Sequence, residues 1–174
     1  MIREIRTRTS LPANVQFLDI LEMKILFEVG RIDTAEVLLS RICGQSDTIE
    51  STCVVFRGDL LIARREFKNA ATLLETALPA TTDDISLMIA FVSLIAQPDV
   101  EFSEDQIALA RKTAEKALFQ THYADAEVLK AATHLYFKLG DMQTAIPYLL
   151  HSLEMLPFDQ SLTALEYRVE NECR

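Results

Sequence analysis

The sequence contains no tryptophan, and it has few of the residues that interrupt helices. Its 174 residues include four glycines and five prolines. Because these two residue types mark most turns and breaks, their scarcity favours long helices joined by short links. No apolar run reaches the length of about 18 residues that a membrane-spanning helix needs, so we predict no membrane span. The first ten residues are basic but lack the apolar block of a signal peptide.

Cysteine is also scarce. The chain has Cys43, Cys53 and Cys173, an odd number with no tight spacing, which predicts neither a disulfide framework nor a metal site. We interpret them as core thiols plus one cysteine near the C-terminus. Together with the missing signal peptide, this pattern predicts a reducing compartment, which is the cytoplasm, or the nucleus if the cell is eukaryotic.

Motifs that carry catalysis are missing as well. The sequence has no glycine-rich phosphate loop, no paired-histidine metal motif and no nucleophile elbow. His122, His134 and His151 are each interpreted as satisfied or solvent-facing side chains rather than ligands. We therefore predict a protein that is not an enzyme and that binds neither a cofactor nor a metal.

The composition is that of a globular, acidic protein. Hydrophobic residues make up 49% of the chain, charged residues 25%, and the net charge is −9. This apolar content can form a packed core. The negative charge repels phosphate backbones and anionic lipid, so nucleic acid is not expected as a partner.

The apolar residues follow a helical period through most of the chain, which predicts an all-α fold. Residues 1–11 form a basic N-terminal arm in this interpretation, and helices fill residues 12–157. Asp33 with Glu36 is spaced as an N-terminal capping pair, and so is Ser103 with Gln106. The same spacing occurs between these two pairs, at Asp47 and Glu50.

Small residues recur at a nearly constant interval. Counting along the chain from Ala35 to Ala70, Ala110 and Ala145 gives steps of 35, 40 and 35 residues. The longer step coincides with an extended link after Pro98. A period of about 34 residues is typical of repeats built from two helices, so four helix pairs fill the chain.

The clearest unit covers residues 126–157, AEVLKAATHLYFKLGDMQTAIPYLLHSLEMLP. It resembles a tetratricopeptide repeat at the positions that the family keeps small, aromatic or apolar. They are Thr133, Tyr136, Gly140, Ala145, Leu149, Ser152 and Pro157. The resemblance implies a right-handed α-solenoid of about four antiparallel helix pairs over residues 12–157. Phe158, Leu162, Leu165 and Val169 share a stripe, which predicts a C-terminal capping helix over residues 158–174.

In tetratricopeptide repeats the first helix of each pair lines a concave groove. The resemblance therefore implies a peptide-binding groove formed by Phe17, Ile20, Lys24, Phe27, Val55, Asp59, Ile62, Leu94, Lys130, His134 and Phe137. This set is mostly apolar with a polar far end, which suits an amphipathic helix or an apolar extended segment of a partner. The alternative is that these residues pack against the chain itself, through the N-terminal arm or the last helix.

The functional expectation is a protein-interaction scaffold within a larger assembly, with a protein or peptide ligand. The long link after residue 97 and the tail after Pro157 are similar to features of the tetratricopeptide subunits of the anaphase-promoting complex. That likeness implies a structural role in a ubiquitin ligase, with homo-oligomers as a further option. The alternative is a soluble chaperone for a secreted client, resembling those of bacterial type III secretion.

Overall fold

The structure is a computed structural model that describes residues 12–44, 51–81 and 83–172. Across these ranges every regular element is helical, which confirms the predicted all-α fold. The α-helices are α1 (Pro12–Glu28), α2 (Ile32–Cys43), α3 (Ser51–Ala63), α4 (Phe67–Ala77), α5 (Ile85–Ile95), α6 (Glu104–Gln120), α7 (Ala126–Lys138), α8 (Met142–Met155) and α9 (Gln160–Glu172). A short 3₁₀ turn, Leu78–Ala80, follows α4.

The chain forms two compact units, Met1–Ala77 and Leu78–Arg174. In the first unit α2 packs on α1, and α3 packs on both of them as well as on α4. In the second unit α7 packs on α5, α6 and α8, while α9 packs on α8. Within each unit, therefore, a helix pair is followed by a helix that contacts both members of that pair.

Three of the helix pairs share one turn geometry. Gly30 and Gly140 adopt left-handed backbone angles, with φ of +69° and +71°. After α7, the Asp141 amide donates to the Tyr136 carbonyl at 3.0 Å, which closes the hydrogen-bond pattern of a Schellman cap. The turn between α3 and α4 makes the same bonds with Arg65 at the left-handed position.

Side-chain caps explain where several helices begin. Ser103 and Gln106 form a complete capping box at the start of α6, which confirms that prediction. The prediction for Asp33 is wrong, because Arg31 holds the N-cap position and Asp33 lies inside the first turn of α2. Each of α5, α7 and α8 has an aspartate as its N-cap. The predicted cap at Asp47 and Glu50 lies outside the described residues.

The small residues lie where helices approach one another closely. Ala35, Ala70, Ala110 and Ala145 are all fully buried. At Gly58 on α3, a Cβ atom would come within 3.2 Å of the Leu74 side chain on α4. In the second unit the buried hydroxyls of Thr133 and Ser152 lie 3.4 Å apart, between α7 and α8.

Two cysteines are joined, contrary to the prediction of core thiols. Cys43, the last residue of α2, forms a disulfide with Cys53 in the first turn of α3, with a Cα–Cα distance of 5.8 Å. Both belong to the buried core of the first unit, beside Leu39 and Phe56. Cysteine spacing did not reveal the pair because the two residues meet only after α2 and α3 pack together.

Part of the apolar stripe that was predicted for the last helix is buried. Leu162 is fully buried and Leu165 is 8% exposed, while Val169 is partly buried. Phe158 precedes the helix and is 94% exposed, so its assignment to the buried stripe is wrong. The helix begins at Gln160 because Asp159 caps it, as described below.

Candidate functional site

A groove of about 780 Å³ lies in the second unit between the C-terminal end of α5, the length of α7 and one face of α9. The helices α5 and α7 are the first members of two consecutive pairs. The groove is lined by Ser93, Ala96, Gln97, Pro98, Glu127, Lys130, Ala131, His134, Phe137, Lys138, Ser161, Ala164, Leu165 and Arg168. Its volume falls within the usual range of small-ligand sites.

Asp159 fixes α9 as the far wall of this groove. One oxygen of its carboxylate accepts the backbone amides of Ser161 and Leu162, at 2.9 and 3.1 Å. The other oxygen accepts a hydrogen bond from the Lys130 ammonium of α7 at 2.6 Å. These contacts, above all the bond from Lys130, hold the pKa of the carboxyl well below its usual range. One residue therefore caps α9 and ties it to α7.

His134 makes a second link between the same helices. Its Nε2 lies 3.1 Å from the Ser161 hydroxyl. Burial lowers the pKa of the imidazole, and the nearby Lys130 charge lowers it further, against a smaller opposing effect of Asp159. The side chain is therefore neutral at neutral pH and serves here as a hydrogen-bonding group.

Lys138 closes the groove at the end of α5. Its ammonium donates to the backbone carbonyls of Ile95, Gln97 and Val100, each at 2.7 Å. It also lies 4.8 Å from the centre of the Phe102 ring, a distance typical of a cation–π contact. Burial lowers the pKa of this ammonium. Lys138 thus holds the long link between α5 and α6 against α7.

The structure brings three of the residues from the sequence-predicted groove together in the second unit. Lys130, His134 and Phe137 all line the groove from α7. Leu94, which the repeat pattern assigned to the same surface, is 1% exposed and belongs to the core. A ligand in this groove does not contact Leu94.

The apolar residues predicted in the first unit are partly covered by their own unit. Ile20 and Phe27 pack against its core, and the Phe27 ring stacks on Phe56 with 6.4 Å between centroids. Val55 and Ile62 are also partly buried. Phe27 therefore packs on its own unit, but through Phe56 of α3 and not through the N-terminal arm or the last helix that the alternative named. The side chain of Phe17 lies outside the described part.

Asp59 and Lys24 are the charged members of the predicted set in the first unit. Burial raises the pKa of the Asp59 carboxyl to about 6, and the pull of the Lys24 charge only partly opposes this. Lys24 itself is exposed. When it is charged, this half-buried carboxylate lowers the stability of the first unit, because burial removes part of its hydration.

Several lining residues were missed by sequence reasoning. Ser161, Ala164 and Arg168 come from α9, which was predicted as a cap or as a cover over the groove and not as part of its lining. Lys138 was missed because its position falls one residue past the predicted lining positions of that helix. Lys130, Lys138 and Arg168 make the groove in the second unit more polar than the mostly apolar surface that the sequence predicts.

The described residues show no group of three or more His, Cys, Asp and Glu side chains able to hold a metal ion. Within the same ranges no helix is both long and apolar enough to cross a membrane. The chain matches no protein-family model, and no curated protein and no solved structure is detectably similar to it.

Proposed function

We propose that this chain is a non-enzymatic protein-interaction module built from tetratricopeptide-like repeats, which binds a segment of a partner protein in the groove of its second unit. The observation that carries the proposal is the groove itself. The first helices of two consecutive pairs, α5 and α7, form its floor, and α9 closes one side. An open groove between helices suits an extended or helical segment.

The repeat interpretation is supported by features that recur from pair to pair. The same left-handed turn occurs at residues 30, 65 and 140. The alanines at 35, 70, 110 and 145 are fully buried. Within each unit a pair is followed by a helix that contacts both of its members, which is how solenoid repeats stack. A right-handed solenoid over residues 12–157 is the arrangement that we propose from these features.

The disulfide bears on the cellular compartment of such a module. Bonds of this kind persist mainly in oxidising environments. The Cys43–Cys53 bond therefore counts against the prediction of a cytoplasmic or nuclear protein, which stays a prediction. It does not favour one of the two roles considered from the sequence, a scaffold in an assembly and a chaperone for a secreted client, over the other.

A pair of matched variants tests the proposed function. Ala164 lines the groove and is exposed, so Ala164→Trp should fill the groove without disturbing the core. Thr163→Trp places the same ring on the neighbouring exposed position, which does not line the groove. Each variant is used as bait in the producing cell, and cross-linked partners are identified by mass spectrometry.

We expect partners of the wild-type chain to be lost from Ala164→Trp and retained by Thr163→Trp. A single client would favour the chaperone, and several subunits in fixed ratio would favour the scaffold. If both variants keep every partner, the groove is not the binding site and the proposal fails. Circular dichroism of both variants checks that the helices are intact.

A further inference from the structure

Three tyrosine rings and one carboxylate meet on the second unit, at residues that do not line the groove. Tyr123 lies in the turn after α6, Tyr136 on α7 and Tyr148 on α8. The Tyr148 ring centroid is 6.4 Å from that of Tyr123 and 5.9 Å from that of Tyr136. The Tyr136 hydroxyl donates to the Glu115 carboxylate of α6 at 3.5 Å. We propose that this tyrosine cluster is a second interaction surface, which binds an arginine side chain of a partner polypeptide.

The turn after α6 holds Tyr123 against the cluster in a strained conformation. His122 and Tyr123 both have left-handed backbone angles, with φ of +52° and +58°. This conformation is unfavourable for residues with a Cβ atom, and here two such residues adopt it in succession. The Tyr123 amide donates to the Leu118 carbonyl at 2.9 Å, which fixes the turn. Tyr123 is nevertheless 44% exposed, so the strained turn presents aromatic surface to solvent beside Tyr148.

The electrostatics of the cluster favour a cation. The faces of aromatic rings are negative, and they attract positive groups. Burial raises the pKa of Tyr136 to about 12, and the negative charge of Glu115 adds to this effect. Burial also raises the pKa of Tyr148, with further contributions from Tyr123 and Glu115. The carboxylate that disfavours an ionised tyrosine at this place favours a bound cation for the same reason.

The cations on α6 do not neutralise Glu115. Arg111, one turn earlier, acts on the pKa of Tyr136 in the opposite sense to Glu115. In the part of the chain that the structure describes, however, Arg111 and Glu115 form no ion pair. Lys116 lies 3.6 Å from Asp83 instead. The exposed Glu115 carboxylate can therefore accept a further charged donor in addition to the Tyr136 hydroxyl.

A guanidinium group matches both parts of the cluster. It is planar, so it can stack on the exposed Tyr123 ring while its N–H groups donate to Glu115. A lysine ammonium is a compact charge that does not stack in this way. Phe119, one turn after Glu115 on α6, is 74% exposed and offers apolar contact to residues beside the arginine. The net charge of −9 also favours a basic segment of the partner.

Nuclear magnetic resonance of the full chain with isotope-labelled tyrosine rings tests this surface. The chain has four tyrosines, and the fourth, Tyr167 on α9, is 69% exposed and serves as an internal control. The probe is acetyl-Gly-Arg-Gly-amide, compared with the same peptide carrying citrulline, which has a similar shape without the charge. We expect the arginine peptide to shift the signals of Tyr123 and Tyr148 until they saturate. The Tyr167 signal should stay in place, and the citrulline peptide should have no effect.

Variants then assign the binding to the cluster. Glu115→Gln removes the charge at constant size and should raise the Kd of the arginine peptide at least about fivefold. Glu104→Gln makes the same change of charge about three turns earlier on α6 and should leave the Kd within about twofold. Tyr123→Gly removes the ring and the strain together, so binding should be lost while circular dichroism shows intact helices. Ala164→Trp, which fills the groove, should leave the Kd unchanged.

Several results would overturn the inference. Equal shifts of Tyr167 and Tyr123, or equal binding of the citrulline peptide, would show that the cluster does not select a cation. Equal effects of Glu115→Gln and Glu104→Gln would show that net charge alone acts. A lysine peptide that binds as well as the arginine peptide would contradict the choice of arginine. Tighter binding of free arginine than of the peptide would indicate a small molecule instead of a polypeptide.

The inference and the proposed function fail separately. The cluster and the groove have no residue in common, and Ala164→Trp changes only the groove. Loss of arginine binding in Ala164→Trp would overturn the inference, because the arginine would then occupy the groove. Partners lost from Ala164→Trp but retained by Tyr123→Gly support the groove of the proposed function. Partners with the opposite pattern support the tyrosine cluster.

Discussion

Arg65 occupies, in the turn between α3 and α4, the left-handed backbone conformation that Gly30 occupies in the turn between α1 and α2. Their φ angles are +62° and +69°. A residue with a Cβ atom loses roughly 1 kcal/mol in this conformation, whereas glycine adopts it freely. The hydrogen bonds from Arg65 and Glu66 to carbonyls of α3 hold the turn in place despite that cost.

Arg65→Gly should therefore stabilise the first unit, by about 0.5–1 kcal/mol, because the strain is relieved and the hydrogen bonds of the turn remain. Urea unfolding followed by circular dichroism measures the change. Gly30→Ala is the converse control and should destabilise by a similar amount. A Cβ atom at residue 30 has no atom within 4 Å, so its effect is conformational. Destabilisation by Arg65→Gly would show that the Arg65 side chain contributes more than the strain costs.

The disulfide between Cys43 and Cys53 should contribute to the stability of the first unit. The bond closes a loop between residues ten positions apart and so reduces the conformational entropy of the unfolded chain. The entropy model assigns about 3 kcal/mol to a loop of this size. We expect Cys43→Ala/Cys53→Ala to lower the free energy of unfolding by about 2–3 kcal/mol. Dithiothreitol should do the same to the wild-type chain.

Thiol titration of the unfolded, unreduced chain provides the direct check on that bond. One reactive thiol, from Cys173, is expected in the oxidised wild type, and none in Cys173→Ala. Three thiols, with no effect of reductant on stability, would show that the two cysteines remain reduced. In that case the compartment predicted from the sequence would regain its support.

The helices were accessible from the sequence because they depend on local patterns. The period of the apolar residues and the Ser103–Gln106 box are read within a few neighbouring positions. The alanine spacing reports the close approach of paired helices, so it predicted which small residues are buried. These features need no knowledge of how distant segments meet.

The groove was only partly predictable, because its walls come from separate elements. Arg168 and Ala164 line it through the packing of α9, which no spacing in the sequence reveals. Leu94 follows the concave positions of the repeat but is buried, since the consensus does not include the packing of this particular pair. The disulfide was missed for the same reason. These three misses, the α9 lining, Leu94 and the disulfide, concern contacts between residues of different helices.

The Asp59 carboxyl should make stability depend on pH. Its pKa is raised from 3.8 to about 6 by burial. Between these values the folded chain keeps a proton that the unfolded chain releases, so the free energy of unfolding falls as pH rises through this window. Asp59→Asn removes the charge. It should be more stable than the wild type at about pH 7, by about 1–3 kcal/mol after allowance for partial solvation, and not at about pH 4.

Urea unfolding at several pH values compares the two chains directly. Asp33→Asn removes one negative charge at an exposed position in α2 and serves as the control for the change in net charge. If the stability of Asp59→Asn depends on pH as steeply as that of the wild type, then the Asp59 carboxylate is solvated or paired when charged, and burial does not raise its pKa.

Lys138 should matter for stability as well as for the groove. Its three bonds to the carbonyls of Ile95, Gln97 and Val100 are made by a charged donor, and those to Ile95 and Val100 are partly buried. Lys138→Met keeps the aliphatic stem but removes these bonds, and we expect a loss of about 2–3 kcal/mol in the free energy of unfolding. Amide exchange in the link between α5 and α6 should accelerate together with this loss.

Lys112→Met, an exposed position on α6, should change stability by less than about 0.5 kcal/mol. If the two variants behave alike and the link exchanges at its original rate, the link is held by its own contacts, and Lys138 contributes only charge to the groove.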